Sequence, residues 1–213
     1  MNALSALLRW TRAVRLVALL SIIVISVTAC DESPMLHKLP PDAVILAFGD
    51  SLTFGTGALA GESYTDVLGT SISRQIVNAG IPGEVSADGL VRLPEVLEQS
   101  APALVVLIHG GNDILRRLPK TQIAQNLRSM IGLIRAFGAQ VVMLGVPRFG
   151  LFPDAAPFYA TVAEQEQVPI DLETLSDILS DNDLKSDTVH PNAAGYSRMA
   201  AAVANLLRER GAL

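Results

Sequence analysis

Residues Ile45 to Gly57 read ILAFGDSLTFGTG. The apolar run Ala43 to Phe48, which holds the first half of that stretch, is too short for a helix and rich in strand formers. Closed by Gly49, it predicts a buried β-strand. Ser51 then stands on the turn leaving the strand. Ligands bind at that place in an open α/β sheet, but any protein also puts a small polar residue there to start a helix. Taken alone, Ser51 reads as a helix start.

The same rhythm continues outward. Short apolar runs recur at Gln75 to Val77, Ala103 to Ile108, Gln140 to Leu144 and Val168 to Ile170. Between and around them lie amphipathic segments near Ser63 to Ser71, Leu90 to Gln99, Thr121 to Phe137, Phe152 to Glu166 and Asn192 to Arg210. Alternation of this kind, with near-continuous apolar strands, predicts a parallel sheet covered on both faces. The expected fold class is α/β: a three-layer α/β/α sandwich on about five parallel strands. Pro169 makes the last strand the weakest of the five.

The residues just after the strands carry the chemistry. They read GDS after the first, NAGIPGE after the second, HGGND after the third and VPRFG after the fourth. Each alone is an ordinary turn. Together they put four polar, glycine-bearing loops at the sheet edge where such folds hold their ligands.

Several sharper motifs fail. GTGALAG at Gly55 to Gly61 has three residues between its last two glycines where a dinucleotide fingerprint has two, and no Lys-Ser/Thr pair completes a P-loop. Thr53 stands where the G-x-S-x-G elbow needs glycine. The stretch Asp181 to Lys185 lacks the glycine and third acidic ligand of a calcium loop, and no H-E-x-x-H offers a zinc site. The remaining motif is Asp187 and His190, three apart, with Pro191 read as the first position of a final helix. A carboxylate so close can fix an imidazole's tautomer, as a base serving a serine requires, or it can simply cap the helix.

In chain order, Gly49-Asp50-Ser51-Leu52, Asn78-x-Gly80, Gly110-Gly111-Asn112-Asp113 and Asp187-x-x-His190-Pro191 resemble the blocks of the SGNH hydrolases, also called GDSL esterases and lipases. GTGALAGESY, NAGIPGE and FYATVAEQ are similar to the bacterial arylesterase, acyl-thioesterase and lysophospholipase-like branch. The resemblance runs from Ala43 to the last helix and implies a flavodoxin-like sandwich. It implies Ser51 as nucleophile, His190 as general base and Asp187 as its orienting group. An oxyanion hole would be made by the backbone N–H of Ser51, the backbone N–H of Gly80 and the side-chain amide of Asn112. Asp50 and Asp113 read as structural groups bonding turn amides. His109 departs from many relatives, which carry a small or apolar residue there, and reads as a satisfied, partly buried strand-end histidine rather than a catalytic one. Phe54, Ile114, Leu115, Phe149 and Phe152 are candidates for an acyl site. Neither metal nor cofactor is expected.

The implied reaction is hydrolysis of acyl esters: aryl esters, lysophospholipids or other short to medium chains. Two alternatives stay open: an O-acetylesterase acting on carbohydrate or peptidoglycan, and a non-catalytic binding lipoprotein of the same fold.

The chain has 213 residues, half of them hydrophobic, which suits one globular domain. Its formal net charge of -5 includes Arg9, Arg12 and Arg15, which precede every acidic residue, so the remainder is more acidic still. Such a body repels nucleic acid and anionic lipid.

Those arginines, the apolar stretch Leu16 to Val27 and the ending Val27-Thr28-Ala29-Cys30 read as a signal peptide over residues 1–29. The apolar stretch is shorter than the ~20 residues of a membrane-spanning helix. The ending resembles a bacterial lipobox, which implies lipidation of Cys30 and anchoring at the periplasmic face of the cell envelope. Residues 30–42, DESPMLHKLPPD after the cysteine, then read as an extended tether, with the hydrolase domain at 43–213. The expected partners are a small acyl ester and, through Cys30, a membrane.

Overall fold

The computed structural model of the chain describes residues 34–148 and 154–213. Five strands run parallel in the order β2-β1-β3-β4-β5: β1 (Val44–Gly49), β2 (Gln75–Gly80), β3 (Leu104–Ile108), β4 (Gln140–Leu144) and β5 (Ile170–Asp171). This is the flavodoxin-like order, with its switch point between β1 and β3. Ile45 to Phe48 and all of β3 are shut off from solvent, which is why these central strands read as unbroken apolar runs. At the edge, β2 is only half-buried, and β5 is two residues long after Pro169, which cannot donate to the ladder.

Eight helices lie among the described residues: α1 (Ser51–Phe54), α2 (Tyr64–Ile72), α3 (Ser86–Ser100), α4 (Gly111–Leu115), α5 (Lys120–Phe137), α6 (Phe158–Glu166), α7 (Thr174–Ser180) and α8 (Ala193–Glu209). Packing of α2 and α7 on α8, and of α3 and α6 on α5, separates them into two layers, one on each face of the sheet. The short α1, α4 and α7 carry too few turns for a periodic pattern and were not expected.

Besides α3, which starts at Ser86 rather than near Leu90, and β2, which runs on to Gly80, three boundaries differ from expectation. The helix expected from Phe152 begins at Phe158, after Pro157 at its N-cap; Ala155 pairs instead with Pro147 in an isolated bridge. Pro191 precedes α8 rather than opening it: Asn192 is the N-cap, its Oδ1 accepting the Gly195 N–H at 3.1 Å. The segment before β1 is not all tether. Leu36 and Leu39 donate their N–H groups to Arg210 O and Ala212 O at 2.8 and 2.9 Å, and the Leu39 side chain is 3% exposed. Burial of Leu39, with these two backbone hydrogen bonds, offsets part of the entropy cost of ordering the segment. Residues 1–29, Cys30 and the first residues of the tether lie outside the described part.

Register brings the functional loops together. Gly49 at the end of β1 pairs with Gly80 at the end of β2 and with Ile108 at the end of β3. The segments that follow these three residues therefore leave the sheet side by side.

Candidate active site

Ser51 is the first residue of α1, and Asp50 caps that helix by accepting the Leu52 N–H on Oδ1 at 3.1 Å. His190 and Asp187 come from the loop before α8, 139 residues away in sequence from Ser51 in the case of His190. Gly57, at φ +100°, lets that loop dock, because a Cβ there would overlap the Ser186 side chain and approach Pro191 O to 2.6 Å. Tyr196 fastens the same turn from below by donating to Thr56 O at 2.8 Å.

The three side chains form one hydrogen-bonded row. His190 Nε2 lies 3.0 Å from Ser51 Oγ, and His190 Nδ1 lies 2.8 Å from Asp187 Oδ2. A carboxylate on Nδ1 keeps the ring proton there and leaves Nε2 free to accept the serine proton. Asp187 is itself held: its Oδ1 accepts the N–H groups of Val189 and His190, both at 2.8 Å. Partial burial works to raise its pKa, but hydrogen bonds from the His190 ring and these two backbone groups outweigh it and hold the carboxyl below its ordinary range. Capping of α8 falls to Asn192, so Asp187 is not spent on the helix.

Ser51 and His190 open on a cleft of about 170 Å³, walled also by Pro82, Gly83, Asn112 and Leu115. Asn112 sits in α4 and gives one amide N–H to Glu84 O at 3.0 Å. An amide has a second N–H, which is left for the cleft.

Gly80 is not where the sequence reading put it. It ends β2 off the cleft wall, and its N–H donates to Asn78 Oδ1 at 3.0 Å. Asn78 in turn donates to Thr53 O and Thr65 Oγ1 at 2.8 and 2.9 Å, so this block ties β2 to α1 and α2. A Cβ on Gly80 would lie 2.6 Å from Thr53 C, which is why glycine stands there. Of the glycines in the loop after β2, the one on the cleft wall is Gly83. Ile81 to Glu84 form a turn closed by Glu84 N–H to Ile81 O at 3.2 Å, with Pro82 second and Gly83 third at φ +81°. That is type II turn chemistry, and it leaves the Gly83 N–H without a partner among the described residues. The Pro-Gly pair was visible in the sequence; the face its amide takes was not.

His109 is wholly buried, where the sequence suggested partial burial, and it belongs to a charged cluster that the sequence did not announce. Its Nε2 lies 3.1 Å from Glu84 Oε2, and Glu84 is paired with Arg92 at 2.7 Å. Burial works to raise the Glu84 carboxyl, but the hydrogen bonds from His109 and Arg92 and the charge of Arg92 bring it down to about 2. Asp50, also buried, has its carboxyl raised by desolvation, and its Oδ2 finds no hydrogen bond among the described residues. Asp113 accepts from Ser86 N and Oγ at 2.7 and 2.6 Å, a structural use.

Of the acyl-site candidates, Leu115 lies on the cleft wall and Ile114 lines a neighbouring cavity, while Phe54 is 56% exposed at the surface. Phe149 and Phe152 lie outside the described residues. Among the described residues no three His, Cys, Asp or Glu side chains gather as a metal site would need.

Comparison with known proteins places this geometry. The chain is 33% identical over 185 residues to esterase TesA of Pseudomonas aeruginosa, covering 81% of this chain and 91% of that protein. It is 32% identical over 177 residues to an arylesterase of Vibrio mimicus, covering 76% and 87%. A crystal structure of TesA superimposes with a TM-score of 0.71 at 31% identity, covering 78% of this chain and 99% of that one. Residues 47–198 match the GDSL-like lipase/acylhydrolase family, a span that holds the whole hydrogen-bonded row, and the chain belongs to that family.

Proposed function

We propose that the protein is a serine esterase that hydrolyses acyl esters through an acyl-serine intermediate. The observation that carries this reading is the Ser51–His190–Asp187 row opening on a cleft with unspent N–H donors. Ser51 Oγ attacks the ester carbonyl carbon while its proton passes to His190 Nε2. The carbonyl oxygen becomes an oxyanion that takes hydrogen bonds from Ser51 N–H, the free Asn112 amide N–H and Gly83 N–H. Collapse expels the alcohol, which leaves with the proton held by His190. Water then attacks the acyl-serine, gives its proton to His190, and release of the carboxylic acid returns the proton to Ser51. Asp187 stabilises the imidazolium in both halves.

Short to medium acyl chains suit the room available. Leu115 is shared between the cleft and an adjoining cavity of about 450 Å³ whose wall includes Leu118, Ile123 and Phe158. Two relatives bear the names esterase and arylesterase, which support ester hydrolysis. The test is hydrolysis of p-nitrophenyl esters from acetate to palmitate, beside Ser51→Ala. Ser51→Ala is expected to lower kcat by about 10⁶. A Ser51→Ala protein with more than a tenth of wild-type activity refutes the assignment, and a sharp optimum at acetate replaces it with an O-acetylesterase.

The same proposal extends to the N-terminus. Residues 1–29 act as a signal peptide, and Cys30 is lipidated, which puts the enzyme on the periplasmic face of a bacterial envelope membrane; the support is the sequence pattern ending Val27-Thr28-Ala29-Cys30. Metabolic labelling with a radioactive fatty acid should mark the wild type and spare Cys30→Ala. Equal labelling of both discards the anchor.

A further inference from the structure

Behind Asn112 lies a buried charged cluster that the reaction just described does not use. Arg92 donates Nε to Glu84 Oε1 at 2.9 Å and Nη2 to Oε2 at 2.7 Å, a bidentate pair with the Glu84 side chain 7% exposed. The same guanidinium gives Nη2 to Ala79 O at 3.1 Å and lies over the Phe48 ring at 4.3 Å. On the other side stands His109. The Gly110 N–H donates to its Nδ1 at 2.9 Å, so Nδ1 carries no proton and the ring's one N–H is on Nε2, directed at Glu84. Gly89 makes room for this ring, since a Cβ there would lie 2.9 Å from His109 Cδ2.

A buried ion pair of this kind is no more stabilising than a well-packed apolar replacement. What it does here is locate one peptide group. The main-chain carbonyl of Glu84 is the acceptor of the Asn112 amide. Fixing one N–H of an amide fixes its plane and so aims the other. Three further bonds tie the turn and the start of α3 to α4 and its end: Asp113 accepts from Ser86 N–H and Oγ–H, and Arg116 Nη2 donates to Gly83 O at 2.9 Å.

We propose that Glu84 is a positioning residue for the oxyanion site: clamped by Arg92 and His109, it holds its carbonyl where that carbonyl orients the Asn112 amide. The inference rests on the serine-esterase reading above. Its experiment is a double-mutant cycle of Glu84→Ala and Asn112→Ala in the full chain, reading kcat and KM on p-nitrophenyl butyrate, with folding checked by circular dichroism. Glu84→Ala is expected to lower kcat by roughly tenfold or more while KM moves less than about twofold, and to cost no more than about threefold once Asn112 is already alanine. A cluster that only braces the fold gives the same factor in both backgrounds, and that result overturns the proposal, as does unchanged kcat in folded Glu84→Ala. If Glu84→Ala does not fold, Arg92→Gln, at a side chain 20% exposed, is read by the same cycle. Failure of both to fold assigns the cluster to stability and also overturns it. Ser51→Ala runs alongside: activity there defeats the esterase reading itself, whereas an inactive Ser51→Ala with an additive cycle defeats only the positioning role.

Discussion

Glu84 also makes a prediction about acid stability that is independent of catalysis. Its carboxyl is held at about 2, against 4.5 in an unfolded chain. A depressed carboxylate favours the folded state above the unfolded value and loses that contribution as pH falls toward the folded value. At pH 6 the contribution is about 3 kcal/mol, and about 2 kcal/mol of it is gone by pH 3. Glu84→Gln keeps the shape and removes the titration. The assay is urea unfolding of wild type and Glu84→Gln at a series of pH values, comparing the two at each. Carboxylates common to both proteins and out of contact with Glu84 cancel in that difference, leaving Glu84 and the His109 ring bonded to it. The wild-type advantage should be level above about pH 5 and shrink by about 2 kcal/mol between pH 6 and pH 3. A difference that stays constant over that range, or widens on acidification, refutes the account of Glu84 as an ionised, doubly clamped carboxylate.

The two glycines of the second loop should part company. In Gly80→Ala the new methyl meets the Thr53 and Phe54 backbone in the helix that carries Ser51, with Phe54 Cα at 2.7 Å. A loss of roughly 2 kcal/mol and a fall in kcat of roughly a hundredfold are expected. Gly83→Ala meets no atom within 4 Å and pays only for its φ of +81°, about 1–2 kcal/mol. Thermal melting and initial rates decide this, and a Gly80→Ala protein that melts and turns over like wild type contradicts the packing described. Leu39→Ala, at a side chain 3% exposed before the first strand, should cost about 2–3 kcal/mol in urea unfolding. No measurable cost would return that segment to the status of a free tether.

Much of this molecule is determined locally. Ile45 to Phe48 and Leu104 to Ile108 had to be central strands, because an unbroken apolar run of that length is soluble only when covered on both faces. The order of strands and helices then left few topologies, and the polar loops had to collect at one edge. Asp187 and His190, three apart, had the spacing that a partnership needs, but helix capping stayed open until the fold gave the cap to Asn192 and the His190 ring to Asp187. Other features depend on groups that meet only in three dimensions. Whether Gly80 or Gly83 offers its N–H to the cleft is set by Asn78 folding back on Gly80 and by the handedness of the turn at Pro82, neither of which spacing reveals. The short helices α1, α4 and α7 owe their shape to tertiary packing and, at α1, to the Asp50 cap, since a helix of one or two turns has no stability of its own. Glu84, Arg92 and His109 lie on a turn, a helix and a strand end, and they form a cluster because register sets the ends of β1, β2 and β3 level. Sequence periodicity reports which side of a residue is buried; only the fold decides which other buried residue it faces.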